Sequence, residues 1–204
     1  MHFIKTINLY NTMSLQHYFV DTISDIEAQL WDSLTNEHVF TSYAWLSALE
    51  ISECVSKQTG WQPQHLVIKQ NDLIVAILPG YLKDHSYGEY VFDWAFAEAY
   101  ERYGLEYYPK WLCGVPFTPV QGPRILCKHI TPELINYIEA TLLEFGEKGL
   151  SGIHLNFLSE HASLANTSLT PRRNVQFHWQ NKGYQNFSDF LAALNARKRK
   201  MISK

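Results

Sequence analysis

The stretch 81–124 limits this chain more than any other. It reads YLKDHSYGEYVFDWAFAEAYERYGLEYYPKWLCGVPFTPVQGPR, and its 44 residues hold twelve aromatic side chains. At the chain-wide aromatic fraction of 14%, average usage would place about six there. Gly88, Gly104, Pro109, Gly114, Pro116, Pro119, Gly122 and Pro123 punctuate it. Proline fixes φ and removes a hydrogen-bond donor, so neither a long helix nor a central strand runs through its later part. Aromatic rings give large contact areas at low rotamer entropy, and tyrosine adds a polar handle. Two arrangements suit such a segment. One is an aromatic core threaded by tight turns. The other is a cleft lined by rings and a few placed polar groups.

Elsewhere composition mainly excludes. The 204 residues suffice for one good core. A net charge of −3 gives no general pull toward nucleic acid or an anionic membrane. No apolar run reaches the roughly 18 residues of a membrane helix. The opening MHFIKTINLYNTMSLQ lacks the basic and apolar regions of a secretory leader. Cys54, Cys113 and Cys127 are odd in number and form no CxxC pair. A disulfide framework and a zinc site are therefore not expected, and a cytoplasmic location is.

In chain order, residues 1–12 show no period and read as an extension ahead of a start at Met13. Leu15, Tyr18 and Val20 mark a short strand. Ser24 caps a predicted helix to about residue 35, with Ile26, Leu30 and Leu34 on one stripe. Ser42 caps a second helix that turns Tyr43, Leu46, Leu49 and Val55 inward. Residues 65–69 and 73–78 form a predicted antiparallel hairpin around the polar turn 70–72. Within the aromatic stretch, 92–103 has helical spacing, with Phe92, Phe96 and Tyr100 aligned and Gly104 as C-cap. Residues 111–115 and 124–127 read as strands. Thr131-Pro132-Glu133 opens a helix through Leu134, Ile138, Leu142 and Phe145. Residues 152–158 form a strand with His154 and Asn156 on one face, and 159–169 a short helix or turn. A strand is predicted over 174–180 from the alternation of Val175, Phe177 and Trp179. A last amphipathic helix, 186–204, ends in a basic run. The order gives a mixed α/β (α+β) fold, a largely antiparallel sheet flanked by helices.

The chain has no GxxxxGK[ST], GxGxxG, HExxH or GxSxG motif. Its nine histidines are scattered without ligand spacing, so no metal is expected. His85, among Asp84, Ser86, Tyr87 and Glu89, is either a general base near neutral pH or a hydrogen-bonded loop residue. Asp93 lies between Phe92 and Trp94; desolvation there would raise its pKa and suit it as a base, and helix capping is the alternative. Tyr87, Tyr90, Tyr107 and Tyr108 offer hydroxyls to a sugar, peptide or carboxylate. Trp94 and Thr118 complete the substrate-binding candidates. Lys110 and Arg124 are either anion clamps or surface charges. Arg197, Lys198, Arg199 and Lys200 form either a solvated helix face or a phosphate-binding run.

Five contiguous motifs carry a resemblance: GWQPQH (60–65), HSYGEYVFDW (85–94), YYPK (107–110), PFTPV (116–120) and GPR (122–124). From about residue 15 onward the chain resembles the FemAB-like group of the GNAT (N-acetyltransferase) superfamily, proteins associated with peptidoglycan biosynthesis. The resemblance implies a GNAT-like domain over 13–185. It implies that the basic helix 186–204 begins a second half which this chain lacks. The implied activity is transfer of an acyl or aminoacyl group to an amine, a cell-wall peptide precursor being one such acceptor. Acyl-CoA or aminoacyl-tRNA is the implied co-substrate, with no tightly bound cofactor and with Arg197, Lys198 and Arg199 near the donor phosphates. The glycine-rich pyrophosphate loop of simple acetyltransferases is not recognisable. The alternative is a non-catalytic GNAT-fold binding module or an inert fragment.

Overall fold

The structure is a computed structural model describing residues 14–159, 163–173 and 175–203. The proposed extension 1–12 lies outside the described residues. The chain divides into two compact units, Met1–Thr170 and Pro171–Lys204.

The first unit contains strands β1 (Leu15–Val20), β2 (Trp61–Pro63), β3 (His65–Gln70), β4 (Leu73–Leu78), β5 (Gly80–Lys83), β6 (Lys110–Cys113), β7 (Leu126–Cys127) and β8 (Ile153–Leu155). Its helices are α1 (Ala28–Asp32), α2 (Tyr43–Ile51), α3 (Trp94–Arg102) and α4 (Pro132–Gly146). The fold class is α+β as expected, but the strands are shared between two four-stranded sheets, ordered β1-β3-β4-β7 and β2-β5-β6-β8. β6 and β8 pair parallel; the other ladders are antiparallel.

The β3–β4 hairpin forms where the sequence places it. Asn71 and Asp72 take φ of 51° and 64°, the two left-handed residues that a tight hairpin turn needs and that Asn and Asp tolerate. β3 is buried on both faces. Leu66 and Ile68 meet Leu134, Ile138 and Leu142 of α4 on one side. Val67 meets Trp31, Leu46 and Ile77 on the other. Each such buried side chain contributes about 1.5–3 kcal/mol. α4 is capped as expected, with Thr131 Oγ1 accepting from Leu134 N–H at 3.2 Å.

Pro79 carries the chain from the first sheet into the second. There the backbone of Gly80 passes over the buried indole of Trp111, and a Cβ at Gly80 would lie 2.1 Å from that ring. The N–H of Gly80 donates to His65 Nδ1 at 3.1 Å, which leaves His65 Nε2–H to donate to Glu50 Oε1 at 3.0 Å. Glu50 also accepts from the Thr22 hydroxyl at 2.9 Å and from Ile23 N–H at 3.0 Å. These bonds explain a departure from expectation. The helix predicted over 24–35 breaks into a short 3₁₀ turn, Ile23–Asp25, and α1. Thr22, not Ser24, caps the first turn, and Glu27 is extended at ψ 133°. Ile26 and Leu34 still reach the core, Leu30 packs against it partly buried, and Trp31, outside the expected stripe, is fully buried.

Other boundaries shift. The helix expected over 92–103 is α3, which starts at Trp94, and Phe92 and Phe96 are exposed. The strand expected over 152–158 ends at Leu155, and Phe157 has φ 55°. In the segment expected as a short helix or turn, 163–168 forms turns and bends, and 160–162 lie outside the described residues.

In the second unit the strand expected over 174–180 is absent. Asn174 lies outside the described residues, and 175–180 has no regular structure, with Val175, Phe177 and Trp179 exposed. Alternation alone does not hold a strand; it needs a partner for its backbone groups. The expected helix 186–204 is two helices, α5 (Phe187–Ala192) and α6 (Ala196–Ile202). Asn195 starts the second, its side chain accepting from Lys198 N–H at 2.9 Å. The guanidinium of Arg199 donates to the carbonyls of Leu191, Ala192 and Leu194 at 3.0, 3.2 and 2.9 Å, partners that a helix end otherwise lacks.

Gly80→Ala is expected to lower stability by about 1–3 kcal/mol in chemical denaturation, because the buried Trp111 ring must move. A second outcome concerns Glu50. Burial pushes its carboxyl up, but the bonds from His65, Ile23 and Thr22 outweigh this and hold it below the ordinary carboxylate range. A depressed folded pKa gives stability above the unfolded pKa that is lost as pH falls through the folded one. Urea midpoints measured from about pH 7 down to about pH 3 should therefore fall less steeply in Glu50→Gln than in the natural chain.

Candidate functional site

The antiparallel register of β5 and β6 sets Lys83 directly opposite Lys110, and that of β2 and β5 sets Trp61 opposite Lys83. Both lysines are fully buried. Lys83 Nζ stands over the Trp61 ring, 3.7 Å from its centroid, a placement that favours a cation. Lys110 Nζ donates to Asp93 Oδ2 at 2.5 Å, Ser86 Oγ at 2.8 Å and Glu89 Oε2 at 3.0 Å. All three donors of the ammonium are thereby used. Tyr107 donates to Asp93 Oδ2 at 2.8 Å, and the hydroxyls of Ser86 and Tyr108 lie 2.9 Å apart. One ammonium thus holds the irregular loop 84–93 against the second sheet. Gly88 in that loop has φ 79°, and a Cβ there would lie 2.6 Å from the Phe117 ring.

The electrostatics correct one expectation. Burial pushes Asp93 up, but the hydrogen bonds from Lys110 and Tyr107 prevail and hold it below the usual range. It is not the raised carboxylate that its flanking rings suggest, nor does its side chain cap α3. Glu89 is the raised one: burial dominates and the Asp93 charge adds to it, against the pull of Lys110. Tyr107 is pushed far above an ordinary phenol by burial and by Asp93. Lys83 is pulled down to about 7, first by burial and then by Lys110, with Glu89 and Asp84 opposing.

Beside this cluster opens a pocket of about 530 Å³ lined by Leu49, Thr59, Trp61, His85, Tyr87 and Phe117. His85 is half-buried. Its Nε2 donates to the Thr59 carbonyl at 3.0 Å, and its Nδ1 accepts from Tyr87 N–H at 3.1 Å and faces Lys83 Nζ at 3.4 Å. Tyr87 continues to Trp94, with ring centroids 5.0 Å apart.

The structure therefore brings His85, Tyr87 and Trp94 together at the pocket side, and Asp93, Tyr107, Tyr108 and Lys110 together inside. Tyr90 is exposed. Thr118 turns its hydroxyl to the Pro116 carbonyl at 3.1 Å. Arg124 is not a surface clamp: it is buried and donates to the carbonyls of Asn156, Pro123 and Val120 at 2.8, 3.0 and 2.6 Å. Lys110 does clamp anions, but they are the protein's own. Arg197, Lys198 and Arg199 stand exposed on α6 of the second unit. Sequence reading missed Lys83, Ser86, Glu89 and His154. The first and third carried a faint signal, as charges at the end of an apolar strand and between two tyrosines. Against the expectation of no metal, ligand atoms of Glu89, Asp93 and His154 lie within 4.8 Å of one another.

These features define a mixed α+β protein with a charged cluster sealed beneath an aromatic pocket. Residues 22–204 match the FemAB-like family, described as peptidoglycan biosynthesis/recognition, and the chain belongs to that family. No match is found among curated proteins or among solved structures. Among the described residues no helix is long and apolar enough to cross a membrane.

Lys110→Met should cost about 3–5 kcal/mol in urea unfolding, since it leaves two buried carboxylates without their cation. Combining it with Asp93→Asn and Glu89→Gln should recover part of that loss.

Proposed function

We propose that this chain takes part in acyl or aminoacyl transfer to an amine of a peptidoglycan peptide, with the Trp61–His85–Tyr87–Phe117 pocket as the acceptor site. The observation that carries this reading is the Lys83–His85 pair at the pocket wall. An acceptor amine attacks the donor carbonyl only after losing a proton. A new C–N bond then forms, the donor's C–S or C–O bond breaks, and the proton passes to the leaving group. A lysine near 7 in contact with a pocket imidazole is matched to handling that proton at neutral pH. The rings of Trp61, Tyr87 and Phe117 supply an apolar wall for the peptide. Membership of a family for peptidoglycan biosynthesis/recognition fits such an acceptor. The first unit would serve as a GNAT-type scaffold, and the donor would be acyl-CoA or an aminoacyl-tRNA. Lys198 and Arg197 would meet the donor phosphates, while Arg199 is already engaged by backbone carbonyls. The three cysteines form no disulfide, which fits a reducing cytoplasm.

A second reading is recognition without transfer. Both ring nitrogens of His85 are engaged by the chain itself, so the imidazole must give up a bond before it can accept a proton.

The test uses a peptidoglycan stem peptide with a free amine, offered first alone and then with acetyl-CoA or aminoacyl-tRNA. The peptide should raise the melting temperature, by about 2.7 kcal/mol of stability at a hundredfold excess over Kd. His85→Gln should retain that shift and lower product formation by about 10²–10⁴-fold. Binding with no product from either donor would establish recognition instead, and absence of binding would remove both readings.

A further inference from the structure

Lys110 engages only half of each carboxylate it holds. Its Nζ reaches Asp93 Oδ2 and Glu89 Oε2. The other oxygens, Asp93 Oδ1 and Glu89 Oε1, are buried and have no hydrogen-bond partner. Neither side chain exposes any surface. Native interiors rarely leave a charged oxygen in that condition, because its lost hydration is not replaced. The charges are also unequal, with one ammonium against two carboxylates. Lys83 does not make up the difference by contact, since its Nζ is directed to the Gly60 carbonyl, to His85 and to the Tyr87 carbonyl.

A third group approaches from β8. A ring nitrogen of His154 completes a set with the two carboxylates in which all ligand atoms fall within 4.8 Å of one another. Two atoms bound to one first-row cation at roughly 2.1 Å stand about 3.4 Å apart at a tetrahedral angle. The set must therefore draw in by up to about 1.4 Å.

We propose that Glu89, Asp93 and His154 form a binding site for a divalent first-row transition cation, with Lys110 fixing the far oxygen of each carboxylate. Two carboxylates and an imidazole suit zinc, manganese or iron rather than calcium or magnesium, which take oxygen ligands throughout. Lys110 then acts as an outer partner that orients the ligating groups. Three protein ligands leave at least one coordination position open. The site is independent of the acyl-transfer reading.

The experiment takes the full chain, stripped with chelator, and adds Co²⁺, Zn²⁺ or Mn²⁺ in turn. The readouts are bound metal per chain after dialysis, the visible Co²⁺ spectrum and the melting temperature. About one equivalent should bind, with a raised melting temperature and the intense visible bands of a low-coordinate Co²⁺ site. His154→Gln leaves the Lys110 contacts intact and should weaken binding by about 10–100-fold or more. If that variant melts lower without metal, Glu89→Gln, which keeps the shape and the acceptor for Lys110, should show the same weakening. No retained metal and no melting shift would overturn the site and leave a proton or a water as the occupant of the unpartnered oxygens. Unchanged affinity in the folded variants would overturn it equally, placing the metal on other histidines.

Discussion

Burying an ammonium group is costly unless every proton on it finds an acceptor, and the second sheet is built around meeting that condition for Lys110. Its three acceptors come from one irregular segment, Ser86, Glu89 and Asp93. A loop with few backbone bonds of its own thereby gains a fixed course. The course of that loop in turn puts Tyr87 and Trp94 beside each other and sets Tyr87 against His85, where the pocket opens. The aromatic residues that dominate the sequence are thus placed by a charge.

A different constraint joins the two sheets. β4 and β5 are consecutive in sequence yet belong to separate sheets, and only Pro79 lies between them, with Gly80 opening β5. Gly80 is required because the chain must pass against the Trp111 indole, whose Nε1 donates to the Gln64 carbonyl at 2.9 Å. Its N–H is fixed by His65, and His65 by Glu50 on α2. A helix, a strand of each sheet and the N-terminal turn at Thr22 therefore share one hydrogen-bonded chain.

What could be read from the sequence was local. The hairpin 65–78 has its turn residues between its own strands, and α4 has Thr131 and Pro132 at its own start, so nearby residues decided both. The break in the first helix was not readable, because Glu50, which ties down Thr22 and Ile23, comes from another element. The sign of the Asp93 shift failed for the same reason. Its flanking rings are adjacent in sequence and suggest desolvation alone, whereas Lys110 and Tyr107 arrive only once β5 and β6 pair. For Lys110 the sequence left an anion clamp and a surface charge both open, and that it is buried against Glu89 and Asp93 is a fact of tertiary structure. The strand expected over 174–180 shows the converse, a local pattern with no neighbouring strand to complete it.

The opposed pair Lys83 and Lys110 has a calorimetric consequence. Burial first, and then the neighbouring Lys110 charge, pulls Lys83 down to about 7. An anionic group arriving beside His85 would tip that balance and draw a proton onto Lys83 from solution. The heat of binding would then include the ionisation heat of whichever buffer supplied the proton. A neutral ligand in the same pocket would leave the heat independent of buffer, so the pocket reports the charge of its own occupant.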